Sequence, residues 1–114
     1  MATIRISDFA VSPGGRYIAD GAFSGEWFRN EILAPALQEA VNASSPLTVE
    51  LDGTSGYGSS FLEETFGGLI RKRMFSPRQV QTFLNIVAQS PLYAPYKGLA
   101  EKYIASAKAD TVAA

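Results

Sequence analysis

The stretch "LTVELDGTSGYGSSFLEETFGGLI", residues 47–70, constrains this chain most, because its hydrophobic period changes across a glycine-rich turn. Leu47, Val49 and Leu51 alternate with Thr48, Glu50 and Asp52, the period of a strand with one buried face. Beyond Gly53, Gly56 and Gly58, Phe61, Leu62, Thr65, Phe66, Leu69 and Ile70 recur at helical spacing. Glu63, Glu64, Gly67, Gly68 and Arg71 fall on the opposite arc. A strand that runs through a tight turn into an amphipathic helix belongs to a layered α/β domain.

The flanking sequence supplies the remaining elements. Ile4 and Ile6 share one face at period two, and "SPGG" at 12–15 is a turn signal before Arg16 to Ile18, so an opening hairpin is expected over about 3–18. Phe28, Ile32, Leu33, Ala36, Leu37 and Ala40 predict a helix over 24–41 with Ser24 as its N-cap. Pro35 removes a backbone donor inside it, which predicts a kink between Glu31 and Pro35. Arg29 lies within the apolar arc; its stem is expected to pack there with its head reaching water, the other outcome being a pair with a buried acid or a partner. Ser76-Pro77 marks a short helical turn, followed by a strand near 83–88 and a last helix over about 92–107. Arg71, Lys72, Arg73 and Arg78 sit where cations favour a helix C-terminus and are expected to form a solvated face. The tail, 108–114, has little to bury and is expected to fray. The whole predicts one domain over 1–114: a small α/β fold with a mixed sheet of about four strands and three main helices.

Composition narrows the chemistry. A chain of 114 residues, 46% hydrophobic, has enough apolar mass for one core. It contains no Cys and no His, so a thiol nucleophile, a disulfide framework, the usual general base and the commonest metal ligand are all missing. Ten Lys and Arg against eleven Asp and Glu give a net charge of −1, without the basic excess that phosphate-backbone binding needs. No apolar run is long enough to span a bilayer. A cytoplasmic, non-enzymatic protein with no cofactor, metal, nucleic-acid or membrane partner is therefore expected, and homo-oligomers are compatible with the sequence.

Three readings compete for the turn. As an anion site, it brings free backbone amides and the positive end of a helix dipole together around Gly56, Tyr57, Gly58 and Phe61. Its glycine spacing is that of a phosphate-binding loop, but Ser59 occupies the position of the required lysine, which argues against nucleotide hydrolysis. As a structural start, Ser60 and Glu63 match the S-x-x-E capping box. Asp52, Glu63 and Glu64 could also act as a carboxylate group for acid–base work or Mg²⁺, although carboxylates at a helix start usually serve the cap and the dipole.

The third reading is a resemblance. "LTVELDGTSGYGSSFLEE" is similar to the strand-turn-helix segment of STAS domains, the fold of anti-sigma factor antagonists. The whole chain resembles more closely a bacterial family of STAS-like domains of unassigned function with an "SSF(L/A)(D/E)E" helix start. The resemblance implies a regulatory protein-binding module whose partner is a histidine-kinase-like ATPase acting as a serine kinase. The family's acceptor serine falls on Ser60, with Ser59 beside it; a one-gap alternative would make Ser55 the acceptor. Gly58 stands where the family has Asp, and Phe61 where it has Gly. The partner-facing residues so implied are Gly56, Tyr57, Gly58, Phe61, Glu63 and Glu64.

Overall fold

The computed structural model describes residues 2–110. Strands β1 (Ala2–Arg5), β2 (Leu47–Glu50) and β3 (Leu84–Val87) form a three-stranded sheet in the order β1-β2-β3. Both pairings are parallel, so the predicted mixed sheet of four strands is corrected to three parallel strands among the described residues. Parallel neighbours require crossovers. Helix α1 (25–43) joins β1 to β2, and α2 (59–71) with α3 (Pro77–Phe83) joins β2 to β3. Helix α4 (Ala94–Ser106) follows β3, so among the described residues the three main helices expected are accompanied by α3, where the short helical turn was expected.

The register explains the alternation of "LTVELD". Ile4, Val49 and Ile86 are aligned across the sheet and turn toward the helices, where Val49 and Ile86 are buried. Thr3, Thr48 and Asn85 form the neighbouring row on the other face. Right-handed crossovers in a 1-2-3 order place both connections on one side of the sheet. The opposite side stays polar: Arg5 pairs with Glu50 directly across the strands at 2.5 Å, and Gln89 donates to Glu50 at 2.9 Å.

The opening hairpin is not formed. β1 pairs with β2 instead, and the amides that Tyr17 and Ile18 would offer a ladder donate to the carboxylates of Asp20 (3.0 Å) and Glu26 (2.9 Å). Residues 9–23 are an irregular loop with a 3₁₀ turn at Ile18–Asp20. Several of the loop's large apolar side chains, Phe9, Val11, Tyr17, Ile18 and Phe23, are exposed.

The core is built around α2. Ile6, Phe28, Leu37, Leu47, Phe61 and Phe66 are fully buried. The face of α2 away from the sheet is not free, because α1 and α4 pack on it. A small residue permits the approach of α1: a methyl group on Gly25 would sit 2.6 Å from the Phe61 carbonyl oxygen. Ser24 caps α1 by accepting from the Trp27 amide at 3.0 Å, and Ser76 forms a capping box with Gln79 on α3. Where the kink was predicted, α1 has one wide π turn over Arg29–Leu33, just ahead of Pro35, and continues to Ala43. The wide turn is one way a helix absorbs a missing donor. At the other end, the tail expected to fray from 108 is held as far as Asp110, whose amide donates to the Arg71 carbonyl at 2.8 Å; residues 111–114 lie outside the described residues.

Candidate functional site

The turn after β2 is held from three sides. The Asp52 carboxylate accepts from the Gln89 amide at 2.9 Å and the Ser90 amide at 2.8 Å, and these bonds hold its carboxyl below the usual range. The Tyr93 hydroxyl donates to the Thr54 carbonyl at 2.5 Å, and the Ser55 amide donates to the Val11 carbonyl at 2.8 Å. Gly53 and Gly56 take φ of +93° and +114°, where a side chain would strain the backbone. A methyl group on Gly56 would also lie 2.8 Å from the Tyr96 hydroxyl.

This scaffold divides the predicted residues into buried and exposed groups. Tyr57 points inward, donating its hydroxyl to the Leu51 carbonyl at 2.7 Å; burial pushes that phenol well above its ordinary pKa. Phe61 is fully buried against Tyr57 and Phe28. Gly58, Ser59, Ser60 and Ser55 are exposed, and Gly56 is half-buried. The helix begins two residues earlier than predicted: Gly58, not Ser60, is the N-cap, without a side-chain cap, and Ser60 is the second helical residue.

The predicted Ser60–Glu63 capping box is therefore absent. Glu63 turns to the guanidinium groups of Arg16 and Arg71, which offer charge as well as donors, where the cap would offer one neutral amide. The hydroxyls of Ser59 and Ser60 make no hydrogen bond within the described residues.

Behind this tip lies a five-residue ionic network. Glu64 is 1% exposed and Arg29 3% exposed. Arg29 donates to the Glu64 carboxylate, to the Glu64 carbonyl at 2.9 Å and to Asn30 at 3.1 Å. Arg71 bridges both carboxylates, reaching Glu64 at 2.9 Å, and Arg16 bridges both from the 9–23 loop, reaching Glu64 at 3.3 Å. Burial alone would raise the Glu64 carboxyl, but hydrogen bonding to Arg29 and the charges of Arg29 and Arg71 outweigh it and hold the group below its ordinary pKa. No buried side-chain nitrogen or oxygen among the described residues is left unpaired.

Both partners stand in π turns, Arg29 at the start of Arg29–Leu33 and Glu64 inside Glu63–Gly67, and these turns pack against each other. Gly68 makes the space: a methyl group there would collide with the Arg29 guanidinium, whose Cζ would lie 3.2 Å away. Three expectations are corrected here. Arg29 pairs with a buried acid instead of reaching water; Glu64 is buried, not on an outer face; and Arg71 is an inward-turned ion-pair partner, unlike exposed Lys72, Arg73 and Arg78. Asp52 has partners of its own on the far side of the turn, so the acids do not act as one set. Arg16 gave no periodic signal in the sequence. The hint that was available is an arginine in an apolar arc, with Gly68 leaving room for it.

These features coincide with a family match. Residues 24–87, more than half of the chain, match the family described as a STAS-like domain of unknown function (DUF4325), and the chain belongs to it. The matched span runs from the cap of α1 to the end of β3 and contains the turn, the serines, Arg29, Glu63, Glu64 and Arg71. No curated protein and no solved structure matches the chain. Among the described residues, no helix is long and apolar enough to cross a membrane.

Proposed function

We propose that this domain is a non-enzymatic regulatory module that binds a protein partner through the tip of α2 and the turn before it, with Ser60 as phosphate acceptor. The observation that carries this reading is the Ser60 hydroxyl itself, exposed at the dipole-positive end of a helix and relieved of any capping role. In the switch, the Ser60 Oγ attacks the γ-phosphorus of a nucleoside triphosphate held by the partner kinase. The bond to the β,γ-bridging oxygen breaks, the diphosphate leaves, and the hydroxyl proton passes to a base on the kinase. The product adds about 1.5 to 2 negative charges and three acceptor oxygens at the docking face. A histidine-kinase-like ATPase in the cytoplasm is the partner that the resemblance to anti-sigma factor antagonists supplies.

A second reading has one observation in its favour: Gly58 leaves the first-turn amides of α2 without a side-chain cap, so a small anion could bind them. Mass spectrometry of the protein isolated from its native cells separates the two. A single phosphate that survives Ser55→Ala and disappears with Ser60→Ala, together with co-purification of an ATPase, supports the switch. An unmodified protein whose Tm rises with inorganic phosphate or ATP alone supports the anion site and overturns the switch.

A further inference from the structure

We propose that Arg16 is the receiving group for a phosphate on Ser60, leaving Glu63 for the phosphate and so loosening the 9–23 loop that it anchors. This deepens the reading of Ser60 as an acceptor and rests on it. Ser60 precedes Glu63 by three residues and Glu64 by four, the two spacings that place helix side chains on one face. Arg71 takes these carboxylates from the C-terminal side, whereas Arg16 comes from the segment beside the start of α2: the Gly15 and Arg16 carbonyls accept from the Gly25 and Glu26 amides at 2.9 and 3.0 Å, and Gly25 lies against the Phe61 carbonyl.

Charge favours the exchange. Three guanidinium groups face two carboxylates, leaving one positive charge uncompensated in the network. A phosphate, with charge between about −1.5 and −2, is a stronger partner for that surplus than a single carboxylate. Arg16 is also the network member free to move. Its side chain is 29% exposed and sits on a loop, whereas that of Arg29 is 4% exposed within a helix. Its departure strands no acid, because Glu63 keeps Arg71 while Glu64 keeps both Arg29 and Arg71. The same move withdraws the guanidinium from its place over the exposed Tyr17 ring, 5.9 Å from the centroid.

The test uses the full chain with phosphoserine encoded at position 60, which bypasses any kinase. A ³¹P NMR titration reads the second ionisation of the phosphate, which lies near pH 6 when unperturbed. Capture by Arg16 lowers that pKa by about half a unit or more. Arg16→Gln abolishes the shift, Arg16→Lys restores part of it, and Arg78→Gln, at an exposed cation outside the network, leaves it in place. Amide hydrogen exchange over 9–24 is faster in the phosphoprotein than in its unmodified parent. An unshifted titration, a shift insensitive to Arg16→Gln, or equal loss with Arg78→Gln overturns the proposal; circular dichroism confirms that each variant is folded, and Arg16→Lys serves if Arg16→Gln is not. A lowered pKa in a protein that native cells never phosphorylate would uphold the Arg16 site while refuting the switch.

Discussion

Glu64→Gln keeps the shape of the side chain and removes its charge, leaving a guanidinium that is almost wholly out of water without its counter-ion. Arg29 would retain the Glu64 carbonyl at 2.9 Å and Asn30 at 3.1 Å, both neutral acceptors. Breaking one side of a buried pair costs about 3 to 5 kcal/mol, and the two remaining acceptors place the expected loss near the lower end, ~3 kcal/mol. That is a large share of the about 5 to 15 kcal/mol that holds a domain of this size together. With a urea dependence of about 2 kcal/mol per molar, the unfolding midpoint falls by about 1.5 M. Trp27, the single tryptophan, reports the transition, since it is half-buried and edge-on to Phe23 at 5.4 Å. Combining Arg29→Met with Glu64→Leu is expected to recover most of the loss, because an apolar pair of similar volume has no charge to desolvate. A Glu64→Gln midpoint within about 0.3 M of the parent, at unchanged slope, would refute the claim that this pair carries uncompensated buried charge when broken.

Other outcomes follow from the same geometry. Ser76→Ala loses a formed capping box and costs about 1 kcal/mol by urea titration, whereas Ser60→Ala, with no cap to lose, changes stability by less than about 0.5 kcal/mol. Gly25→Ala drives a methyl group against the Phe61 carbonyl and lowers stability by about 1 to 3 kcal/mol, visible as a fall in Tm. Because the Glu64 carboxyl is held below its ordinary value, its contribution is complete above about pH 4.3 and is lost as pH falls through the folded-state pKa; acid titration of Glu64→Gln is correspondingly shallower. Tyr57 has the opposite sign: its raised phenol stabilises the fold below about pH 10 and ceases to do so as pH climbs, so Tyr57→Phe flattens the alkaline limb of the stability curve.

The parts of the fold that sequence reveals are those whose determinants are close together in the chain. The β2-turn-α2 unit, the Ser24 and Ser76 caps and the β3 strand each depend on residues within one or two turns, where period and capping chemistry act directly. The hairpin was misjudged because the partner of β1 lies some 45 positions away, and the competing Asp20 and Glu26 acceptors look like ordinary loop polarity. The ionic network was hidden for a related reason. Amphipathic patterning assigns Glu63, Glu64 and Arg71 to water, and only the neighbouring helices, brought close by glycines, turn that face inward. The exposure of Ser59 and Ser60 was legible from the turn, but their release from capping depended on Arg16, which no local pattern connects to them.

The spatial order β1-β2-β3 is also the order of synthesis. Each strand leaving the ribosome can dock on the outer edge of a sheet already begun, so no later segment has to wedge itself between two earlier ones. A nascent chain can therefore assemble its sheet vectorially, with the first edge waiting for its neighbour and α4, translated only after β3, packing last against β3 and α2.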